Sequence, residues 1–130
     1  MTRREIQPES VPRPVAEYAQ GVEISGGRTL YIAGQVALDA DGRLVGAGDI
    51  RAQARQVFRN IRAIVEEAGG EMTDIVKLAT FLTSMNDYAG FVEVRSEFLP
   101  APWPAATLVA VSALVRPEWL VEVDAVAVLD

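Results

Sequence analysis

Ile50, Ala54, Val57, Phe58, Ile61, Ile64, Val65 and Ala68 recur at helical three- and four-residue steps, and every residue between them is polar or small. That spacing predicts one helix with a single apolar stripe, which needs a packing partner on one side only. Asp49 supplies an N-cap oxygen and Gly69-Gly70 a stop. A second helix is predicted from Asn86 or Asp87 to about Leu99, with Tyr88, Phe91, Val92, Phe98 and Leu99 inward. The remaining apolar runs are strand-like: Tyr18–Ser25, Thr29–Gln35, Asp74–Met85, Thr107–Val115 and Leu120–Leu129. Gly26-Gly27 predicts a hairpin between the first two, and the turn Arg116-Pro117-Glu118 predicts a strand pair from the last two. The order ββ-α-β-α-ββ, with one stripe per helix, predicts an α+β fold: a single mixed sheet with both helices on one face.

The other face of that sheet has no cover from this chain. The small apolar residues Ala33, Ala110, Ala113, Ala125 and Ala127 are assigned to it, and self-association is the expected way to bury them. In the last strand Glu122 and Asp124 share a face opposite Val121, Val123 and Ala125. The 130 residues make one domain, whose first fourteen residues hold three prolines and read as an extended arm.

The chain contains no histidine and no cysteine. Ser-His-Asp and Cys-His catalysis, thiol chemistry and the usual zinc sites are thereby excluded, and no cofactor or metal is expected. Any chemistry rests on carboxylates, hydroxyls, arginine or lysine, and backbone amides. Asp39, Asp41 and Gly42 read as a turn rather than a calcium loop. Lys77, the single lysine, reads as a snorkelling or ion-paired strand residue. The net charge of −6 argues against nucleic acid as a partner. Arg51, Arg55, Arg59 and Arg62 form a basic ridge, read as a solvated helix face. The uncharged stretch Phe98–Val115 is too broken by prolines to span a bilayer, and the start lacks a signal-peptide core, so a cytoplasmic location is expected.

Several short motifs sit in register with one family. Tyr18-Ala19-Gln20-Gly21-Val22, Tyr31-x-x-Gly34-Gln35, the helix from Gln53 to Gly70, Asn86-Asp87-Tyr88-Ala89 and Glu122-Val123-Asp124-Ala125-Val126-Ala127 together resemble the Rid family (RidA/YjgF, endoribonuclease L-PSP-like). The resemblance implies a chorismate-mutase-like homotrimer with intersubunit clefts, and for many members an enamine/imine deaminase (hydrolase) activity on 2-iminobutanoate and 2-iminopropanoate. It implies a small-molecule ligand in the cleft and no membrane partner.

Carried over by position, Tyr18 matches the family tyrosine and Gly34 the cleft glycine, while Asp124 stands where a glutamate is proposed to work with the attacking water. Ala33 replaces a serine, Val92 an asparagine, and Leu108 a frequent cysteine. Thr107 lies beside the most telling departure. The family's Pro-x-Arg reads Pro104-Ala105-Ala106, so the arginine that forks onto the substrate carboxylate is missing. The resemblance therefore implies poor binding of the usual 2-iminocarboxylate and a less anionic ligand, unless Arg13, Arg28 or Arg116 substitutes.

Each residue also has a plainer reading. Asp124 would pair with a neighbour's cation, and Tyr18 would be a packing aromatic with a hydrogen-bonded tip. A non-catalytic ligand-binding or regulatory trimer is the alternative function. An endoribonuclease comes third, supported only by the arginine ridge and lacking a histidine.

Overall fold

In the computed structural model, which describes residues 1–130, the apolar stripe winds into helix α1, Ile50–Glu67. The Asp49 carboxylate accepts from the Ala52 N–H at 3.1 Å. At the other end Gly69 turns to φ +91°, which only glycine adopts freely. The Gly70 and Gly69 N–H groups then reach the carbonyls of Val65 and Glu66, both at 2.9 Å, and close the helix. The other elements are β1 (Thr2–Ile6), β2 (Gly21–Ser25), β3 (Arg28–Gln35), β4 (Ile75–Leu82), α2 (Tyr88–Phe98), β5 (Ala105–Ala110) and β6 (Val121–Leu129).

The main sheet runs β3-β6-β4-β5, with β4 and β5 parallel and the other pairs antiparallel. Both helices lie on one face. Val121, Val123, Ala125, Ala127 and Leu129 of β6 and Leu78 and Leu82 of β4 meet Val57, Phe58, Ile61 and Phe91 in one core. The helices touch through Phe58, whose ring sits 5.7 Å from Phe91 and 5.5 Å from Phe98. No helix is long and apolar enough to cross a membrane.

Two sequence expectations fail in topology rather than in element type. β2 pairs with β1, and β3 with β6, so the Gly26-Gly27 turn joins strands of two different sheets. β5 and β6 are not a pair, because β4 lies between them. The arm is partly a strand: β1 zips onto β2, and the Arg3 guanidinium donates to the carbonyls of Thr73 (2.6 Å), Pro102 and Trp103 (3.2 Å each). Burial lowers the Arg3 pKa, with Asp74 opposing.

The open face also differs from expectation. Ala125 and Ala127 are buried under the helices, Ala110 ends its strand in register with core-facing Leu82, and Ala113 lies in the exposed loop beyond. Of the five alanines only Ala33 lies on the open face, whose exposed large hydrophobic side chains are Tyr31 at 79 % and Val109 at 39 %.

Candidate functional site

Beyond β5 the chain returns to build a cleft. The Ala19 N–H donates to the Pro104 carbonyl at 2.9 Å, and Ala19 bridges Ala105 in parallel. This lays residues 16–20 along the free edge of β5 and sets Tyr18 beside Ala106 and Thr107. The start of α2 and the turn before it close the other side, where Ser84 Oγ accepts from the Asn86 N–H at 3.1 Å. The result is a cleft of about 260 Å³ lined by nine residues, seven of them hydrophobic, among them Val15, Ala16, Met85, Tyr88 and Leu108. A small concave site with an apolar wall and a few hydroxyls suits a small organic molecule.

The structure brings Tyr18, Ala106 and Thr107 together here and leaves the other expected residues elsewhere. Asp124 pairs with Ala79, which pairs with Thr107, so these three form a row across the sheet. Two strand spacings separate Asp124 from Thr107, about 10 Å. The row lies on the open face, whereas Ala106, in register with buried Leu78, packs toward the helices. Within one chain Asp124 and Ala106 are thus on opposite faces. Val92 faces a separate hollow with Arg51 and Glu93.

Ala33 and Gly34 form a bulge in β3, where the pairing jumps from Ile32–Ala125 to Gln35–Val123. A Cβ on Gly34 would lie 2.9 Å from the Glu122 carboxyl carbon, so glycine lets that carboxylate lie against the backbone. Gly34 opens onto a groove at the far edge, shared with Asn60 and Leu38.

Among the lining residues that escaped the sequence reading, one is charged. Arg95, on α2, is only 6 % exposed and borders the cleft with Tyr18 and Ala106. Its Nε and Nη2 are fully buried without a hydrogen-bond partner. Burial pushes its pKa down, and Tyr88 and Glu17 partly restore it. The signal was present in the spacing: Arg95 follows Phe91 by four residues and precedes Leu99 by four, on the inward stripe. The three arginines considered from sequence do not line the cleft. Arg28 donates to the Ala68 and Asp130 carbonyls, Arg116 lies over the Trp119 ring at 5.9 Å, and Arg13 is exposed.

Three of the four ridge arginines are committed to the fold, and Arg59 is exposed. Arg51 pairs with Glu93 at 2.6 Å, Arg55 forks onto Glu97 at 2.9 and 3.1 Å, and Arg62 lies over the Phe98 ring. Asp39 caps its own turn, accepting from the Asp41 and Arg43 N–H groups. Lys77 is exposed on the open face.

Comparison with known proteins agrees with this architecture. The endoribonuclease L-PSP family model matches residues 8–129. A Rid-family protein of unknown function from Yersinia pestis has a solved structure 37% identical to this chain, with a TM-score of 0.85 over 99% of this chain and 100% of that one. A 2-iminobutanoate/2-iminopropanoate deaminase of Dermatophagoides farinae is 33% identical over 128 residues, 98% of each chain. A RutC family protein of Pyrococcus abyssi is 36% identical over 127 residues, again 98% of each. The chain, with two helices on one face of a mixed sheet, belongs to the endoribonuclease L-PSP family, the Rid proteins.

Proposed function

We propose that this protein hydrolyses a small imine or enamine to its carbonyl compound and ammonia, with a substrate range altered by Ala106. The observation that carries the reading is the apolar cleft that joins Tyr18, Ala106 and Thr107 at the edge of β5. A named deaminase among the relatives supports the reaction class. Asp124 is the one acid carried over for the water; in its own chain it stands about 10 Å across the sheet from Thr107 and on the face opposite Ala106, so this reading assigns its delivery to a second copy. Packing of open faces in a homotrimer, with Tyr31 and Val109 in the contact, would place one copy's Asp124 against its neighbour's cleft.

The chemistry then balances simply. Asp124 takes a proton from water as the water oxygen bonds to the imine carbon, and the C=N π pair moves to nitrogen. Asp124 returns that proton to the nitrogen, and the carbinolamine hydroxyl proton then passes to the nitrogen as the oxygen lone pair forms the C=O bond and the C–N bond breaks, which releases ammonia and leaves the carbonyl. Tyr18 orients the substrate through its hydroxyl.

The separation of Asp124 from the cleft within one chain, with a side chain one methylene shorter than glutamate, favours a second reading: a trimer that binds ligand without turnover. Imines generated in situ by an amino-acid oxidase distinguish the two. Hydrolysis should exceed the spontaneous rate for at least one imine and fall to background in Asp124→Asn with its melting temperature retained. Decay at the spontaneous rate for every imine, with ligand still bound, would leave only the binding reading.

A further inference from the structure

We infer that Arg95 is the anion-binding group of this cleft, so that its ligand is a small monocarboxylate with an apolar body, gripped from α2 instead of β5. The inference rests on the cleft being the ligand site proposed above. A guanidinium keeps its charge at neutral pH even when burial lowers its pKa, because its ordinary value is so high. Buried donors on a charged group are among the most costly to leave without an acceptor. Here Nε and Nη2 are both buried and unpartnered, and no ion pair within the chain takes Arg95. The acidic group that acts on it, Glu17, already accepts from Ser96 Oγ at 3.1 Å, and the other titratable neighbour is the Tyr88 phenol.

The two walls are complementary. Ala106 contributes a methyl where an arginine would add a second cation, and the guanidinium enters from the helix opposite. Val15, Ala16, Met85 and Leu108 surround the rest of the space and favour a short hydrocarbon or aromatic body. A carboxylate is the ligand group whose geometry meets the donors of a guanidinium.

Benzoate and benzamide test this, since they share shape and differ in charge. By calorimetry on the native assembly, benzoate should bind at least about 10-fold more tightly than benzamide, the increment of one charge-assisted contact. Arg95→Met should cost benzoate about 10- to 100-fold and leave benzamide unchanged. Adding Ala106→Arg to Arg95→Met should restore the preference for the acid. Should Arg95→Met fail to fold, the wild type still decides: benzoate must shift the Arg95 Nε–H resonance and benzamide must not. Equal affinity for the two probes, or a carboxylate preference that survives Arg95→Met, overturns the assignment. So does an Arg95→Met protein whose native mass changes while its benzoate affinity does not, which would make the guanidinium a contact between copies. Carboxylate binding without imine turnover would count against the hydrolase reading alone. Turnover unchanged in Arg95→Met would count against the clamp alone.

Discussion

Gln53 should be among the costliest polar side chains to remove. It is fully buried on α1, and its amide holds two loops at once. Nε2 donates to the carbonyls of Gly46 (3.2 Å) and Glu118 (3.0 Å), while Oε1 accepts from the Leu120 N–H at 2.9 Å. These contacts fix the loop entering α1 and the one entering β6, the strand that carries Asp124. Gln53→Leu removes all three bonds and strands one backbone donor and one acceptor, the Leu120 N–H and the Glu118 carbonyl, since the Gly46 carbonyl keeps the Asp49 N–H at 2.9 Å. At roughly 0.5–1.5 kcal/mol per net bond, plus a desolvation penalty for the orphaned N–H, the loss is about 2–4 kcal/mol. For a domain of this size that lowers Tm by roughly 10 °C, measured at fixed protein concentration because self-association would couple to unfolding. Hydrogen exchange localises the effect: the Leu120 amide should lose protection first. A Tm within about 1 °C of wild type, or unchanged exchange at Leu120, would refute the reasoning behind the estimate.

The Arg55–Glu97 fork holds the Glu97 pKa below its ordinary value, chiefly through its hydrogen bond. A depressed folded pKa gives stability that is present above the unfolded carboxylate range and lost as pH falls through the folded value. NMR titration should therefore place Glu97 below a free glutamate, and Arg55→Met should return it toward normal. Gly69→Ala forces a side chain onto φ +91° and should destabilise by about 1 kcal/mol in urea titration, whereas the exposed Glu66 on α1 tolerates alanine. Arg55→Glu combined with Arg59→Glu should leave any trace of RNA degradation in a purified sample unchanged, because Arg55 is already spent on Glu97 and no histidine exists to assist.

Periodicity revealed the elements well and their neighbours poorly. The stripe from Ile50 to Ala68, the Asp49 cap and the Gly69-Gly70 stop were legible because each is a local device with a local cause. Alternation in β5 and β6 says which residues share a face but not which strand lies alongside. A short turn at 116–118 therefore suggested a hairpin that the intervening β4 prevents. Likewise Gly26-Gly27 marked a turn correctly without showing that its strands part into two sheets. Face assignment also failed at Ala125 and Ala127, since alanine satisfies either side; their neighbours Val123 and Leu129 held the better clue. Motifs located Tyr18, Ala106 and Thr107, which do meet. They did not reveal Arg95, which lies on α2 and has no fixed spacing from Pro104.

The proposed hydrolysis requires a site assembled from two copies, one giving the Tyr18–Ala106 cleft and the other Asp124. Subunit mixing measures this directly. Asp124→Asn removes the acid, and Ala106→Phe fills the cleft, so each protein alone should be inactive on an imine that the wild type hydrolyses. Co-assembled in equal amounts, sites that combine an intact cleft with an intact acid form statistically, and roughly a quarter of wild-type activity should return. Activity that stays at background while native mass spectrometry shows mixed assemblies would contradict the two-copy site.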